Sequence, residues 1–283
     1  MSKVCYYYQT FKGLDKLLSH MEDVDVIIVS SIHFGVNKDA SPYIHLNDED
    51  PNSKIFDGVW NQTKLLSENN TEIILMVGGA GSAYNTLFSN YDVYFKMLVD
   101  TVRSHNWITG IDLDIEENVN LSDIKRLIND IISEFGENFT ITMAPLAGSL
   151  MEDEEGMGGF IYKELYLSPE GKHISWFNVQ SYGEYSLEII DKIVENKYPP
   201  DKLVLGMLSG QFTPDNFKDA LNEVAKIKNK YTSFGGVYDW EYFNSPPRNN
   251  NPSEWAYLMK EILKDNTFYK KIINYFSNYM KEL

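Results

Sequence analysis

Apolar residues along the chain fall in short runs, separated by stretches whose apolar positions recur at helical spacing. The runs lie at residues 4–8, 24–34, 72–77, 110–116, 139–144, 176–182, 203–208 and 236–242. Strands alternating with crossover helices predict a parallel sheet. Eight of them is the number that closes a (β/α)8 TIM barrel, an α/β architecture. In the crossover at 121–135, Ile124, Leu127, Ile128, Ile131 and Ile132 recur on one face, while Asp123, Lys125 and Arg126 face out. Segments 84–105, 187–196, 216–230 and 253–264 read the same way, and 267–282 reads as an extra C-terminal helix. With no linker, repeat or low-complexity stretch, residues 1–283 are expected to form a single domain of ordinary barrel size.

Three segments after strands are long: 35–52 after the second, 146–159 after the fifth and 244–252 after the eighth. Loops in those places gather at the C-terminal face of a barrel, where active sites are built. The fourth strand reads Gly110-Ile111-Asp112-Leu113-Asp114-Ile115-Glu116. Side chains alternate between the two faces of a strand, so Ile111, Leu113 and Ile115 suit the helix side. Asp112, Asp114 and Glu116 are thereby forced together into the barrel interior. Repulsion and desolvation should raise at least one of these carboxyls toward neutrality, which is how a general acid is made. Glu116, nearest the C-terminal end, is the expected acid, with Asp114 beside it and Asp112 supporting from below. An antiparallel edge strand with a solvated acidic face would alternate in the same way, but the flanking parallel-type strands speak against it.

The sixth strand repeats the arrangement in neutral form, with Asn178, Gln180 and Tyr182 on one face. On the eighth, Tyr238, Trp240 and Tyr242 share a face, and an indole at a barrel mouth suits the apolar face of a pyranose.

Composition narrows the partners. Twenty-five Lys and Arg stand against 41 Asp and Glu, a formal charge of −16 with no basic cluster. Nucleic acid and anionic membranes are therefore poor partners. Cys5 is the only cysteine, so one chain holds neither a disulfide nor a Cys-based metal site. His20, His33, His45, His105 and His173 are scattered without HExxH spacing, and neither metal nor other cofactor is expected. The first residues carry no signal-peptide pattern and no run reaches a membrane span, so a monomer in the cytoplasm is expected, with export by another route left open.

The acidic strand resembles that of glycoside hydrolase family 18, the chitinases and related endo-N-acetylglucosaminidases, whose pattern is DGxDxDxE. Here it stands as Thr109-Gly110-Ile111-Asp112-Leu113-Asp114-Ile115-Glu116. Met76-Val77-Gly78-Gly79 is similar to the family's SxGG, Met143-Ala144-Pro145 lies on the fifth strand, Gln180-Ser181-Tyr182 is similar to its Q-x-Y, and Trp240 takes the place of its eighth-strand tryptophan. The resemblance implies a retaining hydrolase of β-1,4 N-acetylglucosamine linkages, acting on chitin or chito-oligosaccharides. In that scheme the substrate's acetamido carbonyl is the nucleophile. Glu116 would protonate the glycosidic oxygen, Asp114 would orient the acetamido N–H, Asp112 would hold a proton with Asp114, and Tyr182 would donate to the acetamido carbonyl. Trp240, Gln180, Met143, Tyr8 and Gly79 would bind the sugar. The same machinery would serve an endo-β-N-acetylglucosaminidase on N-glycans, and the same fold a non-catalytic chitin-binding lectin. The family's first Asp is Thr109 here and its Ser is Met76, which predicts that a polar partner of Asp112 is missing.

Overall fold

The computed structural model describes residues 1–264, and the helix expected at 267–282 lies outside the described residues. The strands are β1 (Lys3–Tyr8), β2 (Val26–Val36), β3 (Pro42–Leu46), β4 (Glu72–Gly78), β5 (Ile108–Asp114), β6 (Thr140–Met143), β7 (Ile174–Gln180), β8 (Leu203–Leu208) and β9 (Gly236–Trp240). All but β3 pair in parallel in the order β1-β9-β8-β7-β6-β5-β4-β2, and β1 pairs with β2 to close the ring. The eight-stranded parallel barrel expected from the alternation is the one observed.

Segments 35–52 and 84–105 differ from expectation, and the loop expected at 146–159 opens with a short helix, Ala147–Met151. The stretch 35–52 is not all loop, because β2 runs on past the barrel and β3 returns antiparallel to it, with His33 opposite His45 and Gly35 opposite Tyr43. Ile44 and Leu46 are buried with Phe34 on the helix side, whereas Tyr43 and His45 are half-buried on the other. That alternation spans five residues and is carried by a proline, an imidazole and a phenol, too short and too polar to register as a strand. The crossover expected at 84–105 is two helices, Tyr84–Ser89 and Tyr91–Ser104, broken at Asn90.

Strand alternation sorts the interior into two cores. Outward-facing residues such as Ile73, Leu75, Val77, Ile111 and Leu113 pack under the helices. Helix Leu121–Phe135 presses Ile124, Leu127, Ile128, Ile131 and Ile132 onto that layer, each contributing about 1.5–3 kcal/mol of transfer free energy. Inward-facing Cys5, Val26, Ile28, Ile74, Trp176 and Val204 fill the ring, topped by Tyr7, Met76 and Tyr238. Among the described residues, no helix is long and apolar enough to cross a membrane.

Candidate active site

Register across the strands assembles the acids. Met76 of β4 lies beside Asp112 of β5, which lies beside Thr142 of β6, and Gly78 lies beside Asp114 one layer higher. The strand ends at Asp114, so Glu116 stands two residues beyond it, half-buried at the mouth, while Asp112 and Asp114 are 0% and 5% exposed.

Asp112 receives three hydrogen bonds. Tyr7 Oη donates to Oδ2 at 2.8 Å, Asn178 Nδ2 to Oδ1 at 3.0 Å, and Thr142 Oγ1 to the same Oδ1. Trp176 Nε1 donates to Asn178 Oδ1 at 2.9 Å, which fixes that amide with its NH2 toward the acid. Burial raises the Asp112 carboxyl, and the three donors pull it back. Met76 therefore leaves no missing partner, contrary to the expectation from its position in the motif. Thr109, exposed at the strand's start, lies off this face with its hydroxyl toward the Ile73 carbonyl.

Asp114 is held differently. Gln180 Nε2 donates to its Oδ1 at 3.2 Å and to the Ala144 carbonyl at 2.7 Å. Burial first, then the charges of Glu116 and Asp112, push Asp114 well above the usual carboxylate range, against that one donor. Of the two aspartates, Asp114 is thus the better proton holder and Asp112 the better anion. On its other side Asp114 meets glycines: Gly79 N–H donates to the Asp114 carbonyl at 2.9 Å, and a Cβ on Gly78 would come within 2.2 Å of that oxygen. Gly78 and Gly79 also have φ of +96° and +83°, so backbone conformation favours glycine at both and close approach requires it at Gly78.

Tyr182 stands over this pair. The fully buried Tyr238 donates its hydroxyl to Tyr182 Oη at 3.2 Å, which leaves the Tyr182 proton free to point elsewhere. Burial keeps Tyr182 a neutral phenol, its pKa raised from the ordinary value. Tyr238 fits only because Gly206 has no side chain, since a Cβ there would be 2.2 Å from the tyrosine ring. Trp240, half-buried at the end of β9, packs on Tyr7 with ring centroids 5.1 Å apart.

Glu116, Asp114, Asp112, Tyr182, Gln180, Gly79 and Trp240 are thus gathered at one mouth, whereas two expected residues are elsewhere. Tyr8 faces the helix side, where its hydroxyl accepts from Gly13 N–H at 3.0 Å and its ring meets Phe11 and Tyr242. Met143 is likewise in the outer core. Both corrections are one-residue parity shifts: Tyr7 and Thr142, their neighbours, point at Asp112.

Three further carboxylates of these strand ends, Glu117, Glu241 and Asp239, tie segments together. Glu117 accepts from Ser82 Oγ at 3.1 Å, Tyr84 N at 2.6 Å, Asn85 N at 3.3 Å and Asn85 Nδ2 at 2.6 Å, clamping the β4 loop to the β5 loop. Glu241 accepts from Gln9 N at 2.9 Å, Thr10 N at 3.0 Å and the Thr10 hydroxyl, joining the loops of β9 and β1. Asp239, fully buried, accepts from Ser209 Oγ at 2.8 Å and Ser245 Oγ at 2.5 Å, and burial, offset by these donors, pushes it up to about 8. The contacts of Glu117 and Glu241, and that of Asp239 with Ser209, join segments far apart in sequence, and no local pattern announces them.

The model of the glycosyl hydrolases family 18 matches residues 2–269 of this chain. Among solved structures, a fungal endo-β-N-acetylglucosaminidase from glycosyl hydrolase family 18 is similar at 30% identity and a TM-score of 0.81, covering 93% of this chain and 98% of that one. The chitinase ChiC from Aspergillus fumigatus is similar at 29% identity and a TM-score of 0.78, covering 92% of this chain and 99% of that one. A family 18 chitinase from Pseudoalteromonas aurantia, at 17% identity, TM-score 0.71 and coverage of 93% and 100%, shares the fold. No curated protein matches the chain.

Proposed function

Since the chain belongs to the glycosyl hydrolases of family 18, we propose that this glycoside hydrolase cleaves β-1,4 linkages after N-acetylglucosamine in chitin or chito-oligosaccharides, with retention and with the substrate's own acetamido group as nucleophile. One observation carries the reading. Asp112, Asp114 and Glu116 form a ladder from core to mouth, and the neighbouring Glu117, Asp239 and Glu241 are each engaged in holding loops. A carboxylate pair straddling the bond, as in two-carboxylate glycosidases, would need one of those groups released.

In the first step Glu116 gives its proton to the glycosidic oxygen as the C1–O bond breaks, and the acetamido carbonyl oxygen closes on C1. The positive charge spreads over the resulting oxazolinium ring. Asp114 faces the acetamido N–H; as the ring forms, its proton passes to Asp112, and the carboxylate left on Asp114 offsets that charge in a water-poor pocket. Asp112, which accepts from Tyr7, Thr142 and Asn178, favours the proton on Asp114 before the reaction. Tyr182, with its proton free, donates to the acetamido oxygen and aims it at C1. Trp240 supplies an apolar floor for the sugar. In the second step Glu116 takes a proton from water, whose oxygen attacks C1 from the side the leaving group vacated. The C1–O bond to the acetamido oxygen breaks and configuration is retained.

The test is release of fluorophore from aryl chitobioside and chitotrioside by the purified protein, beside Glu116→Gln. Turnover by the wild type and its loss in the variant are expected. Cleavage of a high-mannose glycoprotein with no action on chitin oligomers would move the substrate to N-glycans, and binding without turnover would make the protein a lectin.

A further inference from the structure

Four of the five buried carboxylates among the described residues have donors of their own. Asp112 accepts from Tyr7, Thr142 and Asn178, Asp114 from Gln180, Asp239 from Ser209 and Ser245, and Glu241 from Gln9 and Thr10. The fifth, Asp23, is as hidden as Asp114, each 5% exposed, yet its side chain accepts no hydrogen bond among the described residues. A buried carboxylate without a donor is costly, and a bound cation is one of the few things that offsets the cost.

The chain sets two more ligands beside it within one turn. Helix Asp15–Leu18 stops at Ser19, and the 3-10 turn Met21–Asp23 follows, closed by Asp23 N–H donating to the His20 carbonyl at 3.2 Å. Residues three apart in such a turn lie one above the other, which brings His20 to Asp23, while Met21 packs on the core. Glu22 completes the group: one ligand atom from each of His20, Glu22 and Asp23 lies within 4.8 Å of the others. His20 and Glu22 are exposed, so their side chains can close the remaining distance. Burial first, then the Glu22 charge, raises the Asp23 carboxyl, against Lys264 and His20. Lys264 does not take the vacant role, since it is paired with Glu261 at 3.4 Å.

We propose that His20, Glu22 and Asp23 bind a divalent transition cation, of which Zn2+ best suits one imidazole and two carboxylates. Calcium and magnesium sites are built from oxygen alone. HExxH spacing belongs to ligands on a helix, and here a turn presents them. The turn leads into β2 at the N-terminal end of the barrel, opposite the acids, and that face of such a barrel serves stability. The ion holds the entry to β2 and takes no part in hydrolysis.

Titration of the metal-free full chain with ZnCl2 by calorimetry, beside thermal unfolding with and without the metal, is the test. One saturable site and a higher Tm in Zn2+ are expected. His20→Ala and Asp23→Asn should each weaken binding by more than about tenfold, since even residues behind a metal ligand act on that scale, and should lose the rise in Tm. The His20 side chain is exposed, so His20→Ala should keep the wild-type circular dichroism and Tm in the absence of metal. Glu116→Gln should bind Zn2+ as the wild type does. Absence of saturable binding, or binding and a Tm rise that survive His20→Ala, would overturn the proposal. Loss of Zn2+ binding in Glu116→Gln would overturn it too, by moving the ion to the acid cleft.

Discussion

Replacing Asp239 by asparagine should make stability less sensitive to pH. The carboxyl is fully buried on β9 between the hydroxyls of Ser209 and Ser245, and burial pushes it up to about 8 despite those donors. In the unfolded chain an aspartate titrates near about 3.9. Between these values the folded state keeps a proton that the unfolded state has released, so stability falls as pH rises from about 4 and levels off above about 8. Within that window the slope is about 1.4 kcal/mol per pH unit. A carboxamide copies the neutral acid in shape and does not titrate. Relative to the wild type, Asp239→Asn should therefore gain about 2.7 kcal/mol between pH 5 and pH 7. Denaturant unfolding at the two pH values, followed by tryptophan fluorescence, measures the difference. Burial also raises Asp112 and Asp114, but both are present in both proteins and cancel. A stability difference that stays constant from pH 5 to pH 7 would refute the reasoning, because Asp239 would then not change ionisation on folding.

Tyr7→Phe removes one of the three donors to Asp112 and should lower kcat about tenfold at unchanged KM, with the pH–rate profile displaced upward; an unaltered profile would count against the anionic role of Asp112. Gly206→Ala brings a methyl to 2.2 Å from the Tyr238 ring, so a loss of about 1–3 kcal/mol in unfolding free energy is expected, together with a fall in kcat as Tyr238 leaves Tyr182. Glu117→Ala frees the backbone amides of Tyr84 and Asn85 and should cost about 1–2 kcal/mol, with faster hydrogen exchange confined to the start of helix Tyr84–Ser89.

The barrel and the acid ladder were legible because both rest on period-two alternation, and the polar members sit on the face where polarity is costly. Asp112 and Asp114 stand out against Ile111, Leu113 and Ile115, so the face they occupy is unambiguous. Tyr6-Tyr7-Tyr8 carries no such contrast, and three consecutive tyrosines conceal that Tyr7, not Tyr8, faces the acids. At Thr142-Met143 the contrast was present, and the resemblance to the family's motif drew attention to the wrong member. The concern over Met76 came from reading one strand alone, since the donors that serve Asp112 come from β1, β6 and β7. The loop clamps of Glu117 and Glu241 span 32 or more residues of sequence and leave no spacing to find.

Hydrolysis of an aryl chitobioside compared with the matching glycoside whose reacting sugar lacks the N-acetyl group tests the central claim most directly. In the proposed mechanism, removing the acetamido oxygen takes away the internal nucleophile and the group that Asp114 and Tyr182 would meet. The account predicts turnover of the acetylated substrate, with a β-configured product at first, and none above background for the other. Comparable rates on both would contradict it and return the search to an enzyme carboxylate as nucleophile.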